Sequence, residues 1–196
     1  MRSFLISGFL ASGMAFLGGV ASAQDSTTQQ PLGEEYCVYE KLTSTLDYEI
    51  IAEAYLFGDD DDADMLATLK KAADACAAEH GMSEDQKSAA SEVGIYGATA
   101  DYLAEELMMV GVSQDAVDGL FGVIEEMSDQ DLDVLFEEDW RKNEAMSGRL
   151  KAAVIAHGIP GDADSVDLAT QVVELSAFAM DAVIGYALAE AGDGAS

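Results

Sequence analysis

Positive charge is what this chain has least of. Lys and Arg number 9 against 38 Asp and Glu in 196 residues, and no basic residue of any kind falls between Lys87 and Arg141. A surface with that balance repels nucleic-acid phosphates and anionic headgroups and attracts cations and basic polypeptides, so nucleic-acid binding is excluded. Proline is nearly absent, with two copies, which leaves long helices uninterrupted. Histidine also occurs twice, each time just before a glycine (His80-Gly81, His157-Gly158), and in neither Glu-x-x-His nor His-Glu-x-x-His spacing. That argues against a carboxylate-bridged metal centre in a helical core. Gly-x-Ser-x-Gly and phosphate-cradling glycine loops are missing too, and with them the common signatures of acyl and phosphoryl transfer.

What is present begins with an export-type segment. Met1-Arg2-Ser3 is a short cationic start, Phe4 to Val20 is apolar, and Ala21-Ser22-Ala23 offers the small-x-small step of a cleavage site. Residues 1–23 are therefore expected to be a signal peptide, and the protein periplasmic or secreted. Removing them takes the net charge from −29 to −30, because Arg2 leaves with them. Residues 24–33 (QDSTTQQPLG) are polar and unpatterned, a flexible leader, and 192–196 read as a disordered tail. The most apolar later stretch, Leu175 to Ala189, is short and carries Asp181, so stable membrane insertion after cleavage is not expected.

Between leader and tail, residues 34–191 are helical by period. Val38, Leu42, Leu46, Ile50, Ala54 and Phe57 predict a first helix over 34–57, closed by Gly58. Met65, Leu66, Leu69, Ala72, Ala73 and Cys76 mark a second ending at His80-Gly81. Ser83 and Gln86 fit a capping box that opens a third helix to about Val110. Ser113 and Ser128 cap shorter helices over 114–126 and 129–137, and two more follow over 138–157 and 166–189. No run alternates as a half-buried strand does. The fold class is all-α, a single compact bundle of about six helices. The stretches 56–81 and 135–158 can be aligned, so two similar three-helix halves are an alternative to chance likeness among Ala-rich helices. The 93–110 and 172–189 helices are apolar nearly all round and belong at the centre.

Three groups of residues invite chemistry. "FGDDDDAD" (57–64) places Asp60, Asp62 and Asp64 at alternate positions, as a calcium loop does, but Met65 stands where the loop needs glycine and Lys71 where it needs the closing glutamate. Capping of the second helix explains these aspartates more simply, with weak Ca²⁺ or Mg²⁺ binding as the alternative and no other cofactor implied. The tract 125–139 carries eight carboxylates, and Glu137–Arg141 and Glu138–Lys142 have i,i+4 spacing. In an oxidising compartment Cys37 and Cys76 read as a disulfide across a helical hairpin; Cys37 with Cys76 and His80 as a thiolate–imidazole metal site is the rival. Asp101 and Asp181 each interrupt an apolar helix, where a buried carboxyl must find a tyrosine hydroxyl or water, or take up a proton.

These residues favour a non-enzymatic role in binding or protection. Chaperone-like exposure of apolar faces to unfolded polypeptides, when carboxylates neutralise in acid, is one form of it; attraction of basic polypeptides by the acidic surface is another. A divalent-cation-binding or buffering module is the alternative. A small-molecule-binding protein or enzyme built on Asp101, Asp181 or the Cys76–His80 pair is the third, and it requires those groups to converge on one pocket.

Overall fold

A computed structural model of the protein describes residues 33–58, 63–137 and 139–193. The expected signal peptide and all of the leader but Gly33 lie outside them. So do Asp60 and Asp62. The described residues are all-α, with no strand among them. Helices α1 (Cys37–Thr43), α2 (Tyr48–Phe57), α3 (Ala63–His80), α4 (Glu84–Met109), α5 (Gln114–Asp118), α6 (Leu120–Glu126), α7 (Asp129–Leu135), α8 (Glu144–Ala156) and α9 (Ala163–Asp193) follow one another; among the described residues a 3₁₀ turn at Glu34–Tyr36 leads into α1 and another at Trp140–Lys142 precedes α8. Since α5 and α6 meet at Gly119, the bundle counts about eight rods, where about six were expected.

The extra segments have local causes. The first expected helix is broken at 44–47. Thr43 and Ser44 donate their hydroxyls to the carbonyls of Tyr39 and Lys41 (2.8 and 2.9 Å), Thr45 also donates to Lys41, and Asp47 is extended at the N-cap of α2. Side chains that bond backbone carbonyls compete with continuation of a helix. The helix expected over 138–157 starts later, because Asn143 accepts the amide of Met146 at 3.1 Å and so sets the cap at 143. The capping box at Ser83 and Gln86 forms as expected, with both reciprocal bonds in place. Gly58, Gly81 and Gly158 have positive φ at the ends of α2, α3 and α8, as their places in the sequence suggest.

Helices α4 and α9 form the axis, about 39 and 46 Å long at 1.5 Å per residue. They bury Val93, Ala98, Leu103 and Leu107 on one and Val173, Leu175 and Ala177 on the other. Contrary to the expectation from uncharged run length, α9 is long and apolar enough over Ala163–Ala191 to cross a bilayer; here half of its most apolar window is covered by the rest of the fold. It also continues to Asp193, two residues into the expected tail. The main core gathers α5 to α9 around the second half of α4, while α3 packs over its first half and α1 and α2 over its first half and middle. Gly94 makes room for α1: a Cβ there would lie 3.1 Å from Val38 and 3.4 Å from the Tyr39 amide.

Cys37 and Cys76 lie at disulfide distance, 2.09 Å between sulfurs, and tie α1 to α3. The bond spans 39 residues, and in the chain-entropy account closing such a loop stabilises by about 4 kcal/mol.

Candidate functional site

Asp101 is the buried acid of the fold's first half. It sits on α4 facing α1 and α2, where Gly94 lets α1 approach closely. The Tyr39 hydroxyl donates to its Oδ2 at 2.5 Å, and the Tyr48 hydroxyl lies 3.1 Å from that of Tyr39, making a chain of three polar groups from three helices. Burial pushes the Asp101 carboxyl up to about 7; the Tyr39 hydrogen bond opposes this, and the nearby charge of Glu105 adds to it. The Tyr39 phenol is held well above its ordinary range, first by burial and then by the Asp101 charge. A proton at this locus therefore resides on Tyr39 throughout, and on Asp101 below neutrality.

Asp101 also opens onto a groove between α4 and α9. Its walls are mostly small or apolar: Gly97, Ala100, Ala179, Met180 and Val183, with Tyr36 and Phe121 at the margins. The enclosed space is about 20 Å³, enough for one water or a methyl-sized group. A carboxyl against such walls presents one polar acceptor in an apolar setting. Among the described residues that line the groove, Asp101 is the one acid, none is a histidine, and Ser176 and Tyr36 carry the hydroxyls.

Asp181 is not its counterpart. It is exposed to solvent, although its sequence neighbours on α9 are as apolar as those of Asp101. The difference is register: Ala179 and Ala182 face the core while Asp181 falls on the outer face of α9. Asp101, Asp181 and the Cys76–His80 pair thus do not converge on one pocket.

Helix α9 buries a different acid, Glu174. Its Oε1 accepts from Trp140 Nε1 at 2.6 Å and from Arg141 Nη1 at 3.1 Å, and its Oε2 accepts from Arg141 Nη2. The guanidinium lies over the Trp140 ring, 4.8 Å from its centroid. Arg141 is therefore committed to Glu174 across the bundle, which corrects the expected i,i+4 pair with Glu137; Lys142 reaches Asp139 at 3.2 Å. Beside this trio is a cleft of about 110 Å³ lined by Tyr55, Leu56, Gln171 and Leu175. Tyr55 begins a row of aromatic contacts through Tyr96 and Phe178 to Phe136, with centroids 5.4–5.6 Å apart.

The acidic tracts are less concentrated than their sequence suggests. Asp64 is exposed in the first turn of α3, a place the helix dipole favours. In the 125–139 tract, Asp131 bonds Arg149 and Ser128, and Glu126 lies 3.4 Å from His157. Among the described residues, one group of three potential metal ligands comes together, Cys37 with Glu79 and His80, at the disulfide.

Comparison with protein-family models, with curated proteins and with solved structures finds no match to this chain.

Proposed function

We propose that this protein acts outside the cytoplasm by binding rather than by catalysis, and that the groove between α4 and α9 is where it binds. The ligand class is a small apolar group carrying a positive charge or a hydrogen-bond donor. One observation carries the reading: Asp101 is a buried carboxyl that opens onto apolar walls. Ionised, it would attract a cation in a setting of low dielectric; protonated, it would lose that attraction. The strongly negative net charge gathers cationic ligands near the surface without selecting among them, and the groove supplies the selection. Met180, unbranched and adaptable, is the wall that yields to a group larger than a methyl. The export-type N-terminal segment and the paired cysteines support a place in an oxidising compartment.

The test is a titration of hexylammonium and of hexanol into protein labelled at its methionine methyls, at about 0.15 M salt to suppress loose surface attraction. The Met180 methyl resonance should shift saturably with hexylammonium at pH 8. The affinity should fall about tenfold or more at pH 5.5, where Asp101 is protonated, and by as much in Asp101→Asn at pH 8. An equal response in the variant, or no saturable shift of Met180, refutes the assignment.

A further inference from the structure

We infer that when Cys37 and Cys76 are reduced they form, with Glu79 and His80, a four-ligand site for a borderline-soft divalent cation, zinc above all. The sequence shows only three of these ligands; the fold supplies the fourth. Cys76, Glu79 and His80 stand at i, i+3 and i+4 on α3, so one helical face presents a thiol, a carboxylate and an imidazole. Helix α1 brings Cys37 onto that face. Ligand atoms of Cys37, Glu79 and His80 all lie within 4.8 Å of one another, and the Cys76 sulfur is 2.09 Å from that of Cys37. Tetrahedral zinc with ligands at about 2.0–2.3 Å holds its ligand atoms about 3.3–3.8 Å apart, so the Cys37, Glu79 and His80 atoms are within reach of one ion and the two sulfurs must part once reduced.

The surroundings favour a cation. His80 is the last residue of α3, where unpaired backbone carbonyls and the negative end of the helix dipole attract positive charge. Glu34 lies 3.5 Å from His80 Nδ1, in reach to orient the ring as outer carboxylates do for metal-bound histidines. A cationic group already sits there: Lys41 Nζ pairs with Glu79 Oε2 at 2.9 Å and holds its carboxyl below the usual range. Zinc must displace that ammonium, or share the carboxylate with it.

Disulfide and metal exclude each other. As the chain is made, both sulfurs are thiols; in the oxidised protein a dithiol reductant returns them to that state, taking the disulfide bond itself. Zinc then replaces one proton on each sulfur and releases both to solvent. Oxidation by a disulfide donor reverses this: the sulfurs join, two electrons pass to the donor, and the metal leaves. Either way α1 stays clasped to α3, by a covalent bond in one state and by zinc in the other.

The experiment uses the full chain, reduced with a phosphine without air, and the same chain oxidised. Cobalt(II) reports the ligands: the reduced protein should show sulfur-to-cobalt charge transfer and the strong visible bands of tetrahedral coordination, bleached by one equivalent of zinc, and the oxidised protein neither. Zinc binding should release two protons from the thiols. Glu79→Gln and His80→Ala, both at exposed positions, should each weaken zinc about tenfold or more with the charge transfer retained, since the two thiolates remain. Cys37→Ser with Cys76→Ser should abolish the charge transfer. Zinc uptake equal in reduced and oxidised protein marks binding to surface acids and overturns the inference. So does reduced protein whose affinity survives both Glu79→Gln and His80→Ala.

Discussion

The Tyr39 hydroxyl donates to Asp101 across the contact between α1 and α4, and this bond is what the carboxylate has to offset its burial. The carboxyl ordinarily titrates near 3.8, and in the folded protein at about 7. Its protonated form is thus the one the fold favours. The stabilising contribution is complete below pH 3.8 and is lost progressively as the pH rises to about 7. Replacing Asp101 by Asn removes the charge and keeps an acceptor for Tyr39. The variant should be more stable than the parent by about 1–3 kcal/mol at pH 8, with the gap closing as the pH falls toward 4, as measured by urea unfolding across that range. A gap independent of pH would show that Asp101 is not the titrating group. Tyr39→Phe should cost about 1–3 kcal/mol at pH 8, where the bond is to a charge, and less in acid. This locus tightens on acidification, in the opposite sense to an opening of the bundle by acid.

Glu174 joins Trp140 and Arg141 to α9, and its removal should be felt at all three. Glu174→Ala leaves the indole N–H without its acceptor and the guanidinium without its charge partner. Because Arg141 is half exposed, the expected cost is about 2–4 kcal/mol, somewhat below the range for fully buried pairs. Glu174→Gln retains an acceptor for Trp140 and should cost less. Thermal unfolding followed by Trp140 fluorescence, the single tryptophan, reads both. Equal losses in the two variants would mean that charge contributes everything and the indole bond nothing.

Net charge predicts a third behaviour. With 38 acids against 9 bases, repulsion across the surface works against the compact state, and raising the salt from about 0.02 to 0.5 M shortens its reach from roughly 20 to 4 Å. The melting temperature at pH 7.5 should therefore rise with sodium chloride by several degrees. A flat or falling profile would mean that the exposed pairs, such as Lys41–Glu79 and Lys87–Asp74, outweigh the repulsion.

The parts of the fold that were legible in the sequence are those fixed by neighbours in the chain. The apolar period set out α3, α4 and α9, Ser83 with Gln86 marked a helix start, and glycines 58, 81 and 158 marked helix ends. The Cys37–Cys76 pairing followed from a count of two and a hairpin. The break at 44–47 was hidden because Leu42, Leu46 and Ile50 keep helical spacing straight through it, while the Ser and Thr hydroxyls that interrupt it act on the backbone. Burial of single acids was legible only in part: the sequence marked Asp101 but could not separate it from Asp181. Asp101 and Asp181 have similar sequence surroundings and opposite exposure, because what covers Asp101 is Tyr39, 62 residues away. Glu174 carries no local signal for the same reason; its partners Trp140 and Arg141 lie 34 and 33 residues earlier, in a stretch that reads as an acidic helix. In the sequence Glu79 is one of many acids, and only the packing of α1 brings Cys37 beside it.

The clasp between α1 and α3 also decides what a protease can accomplish. A backbone cut anywhere between Cys37 and Cys76 leaves two fragments that still migrate as one molecule until a reductant is added.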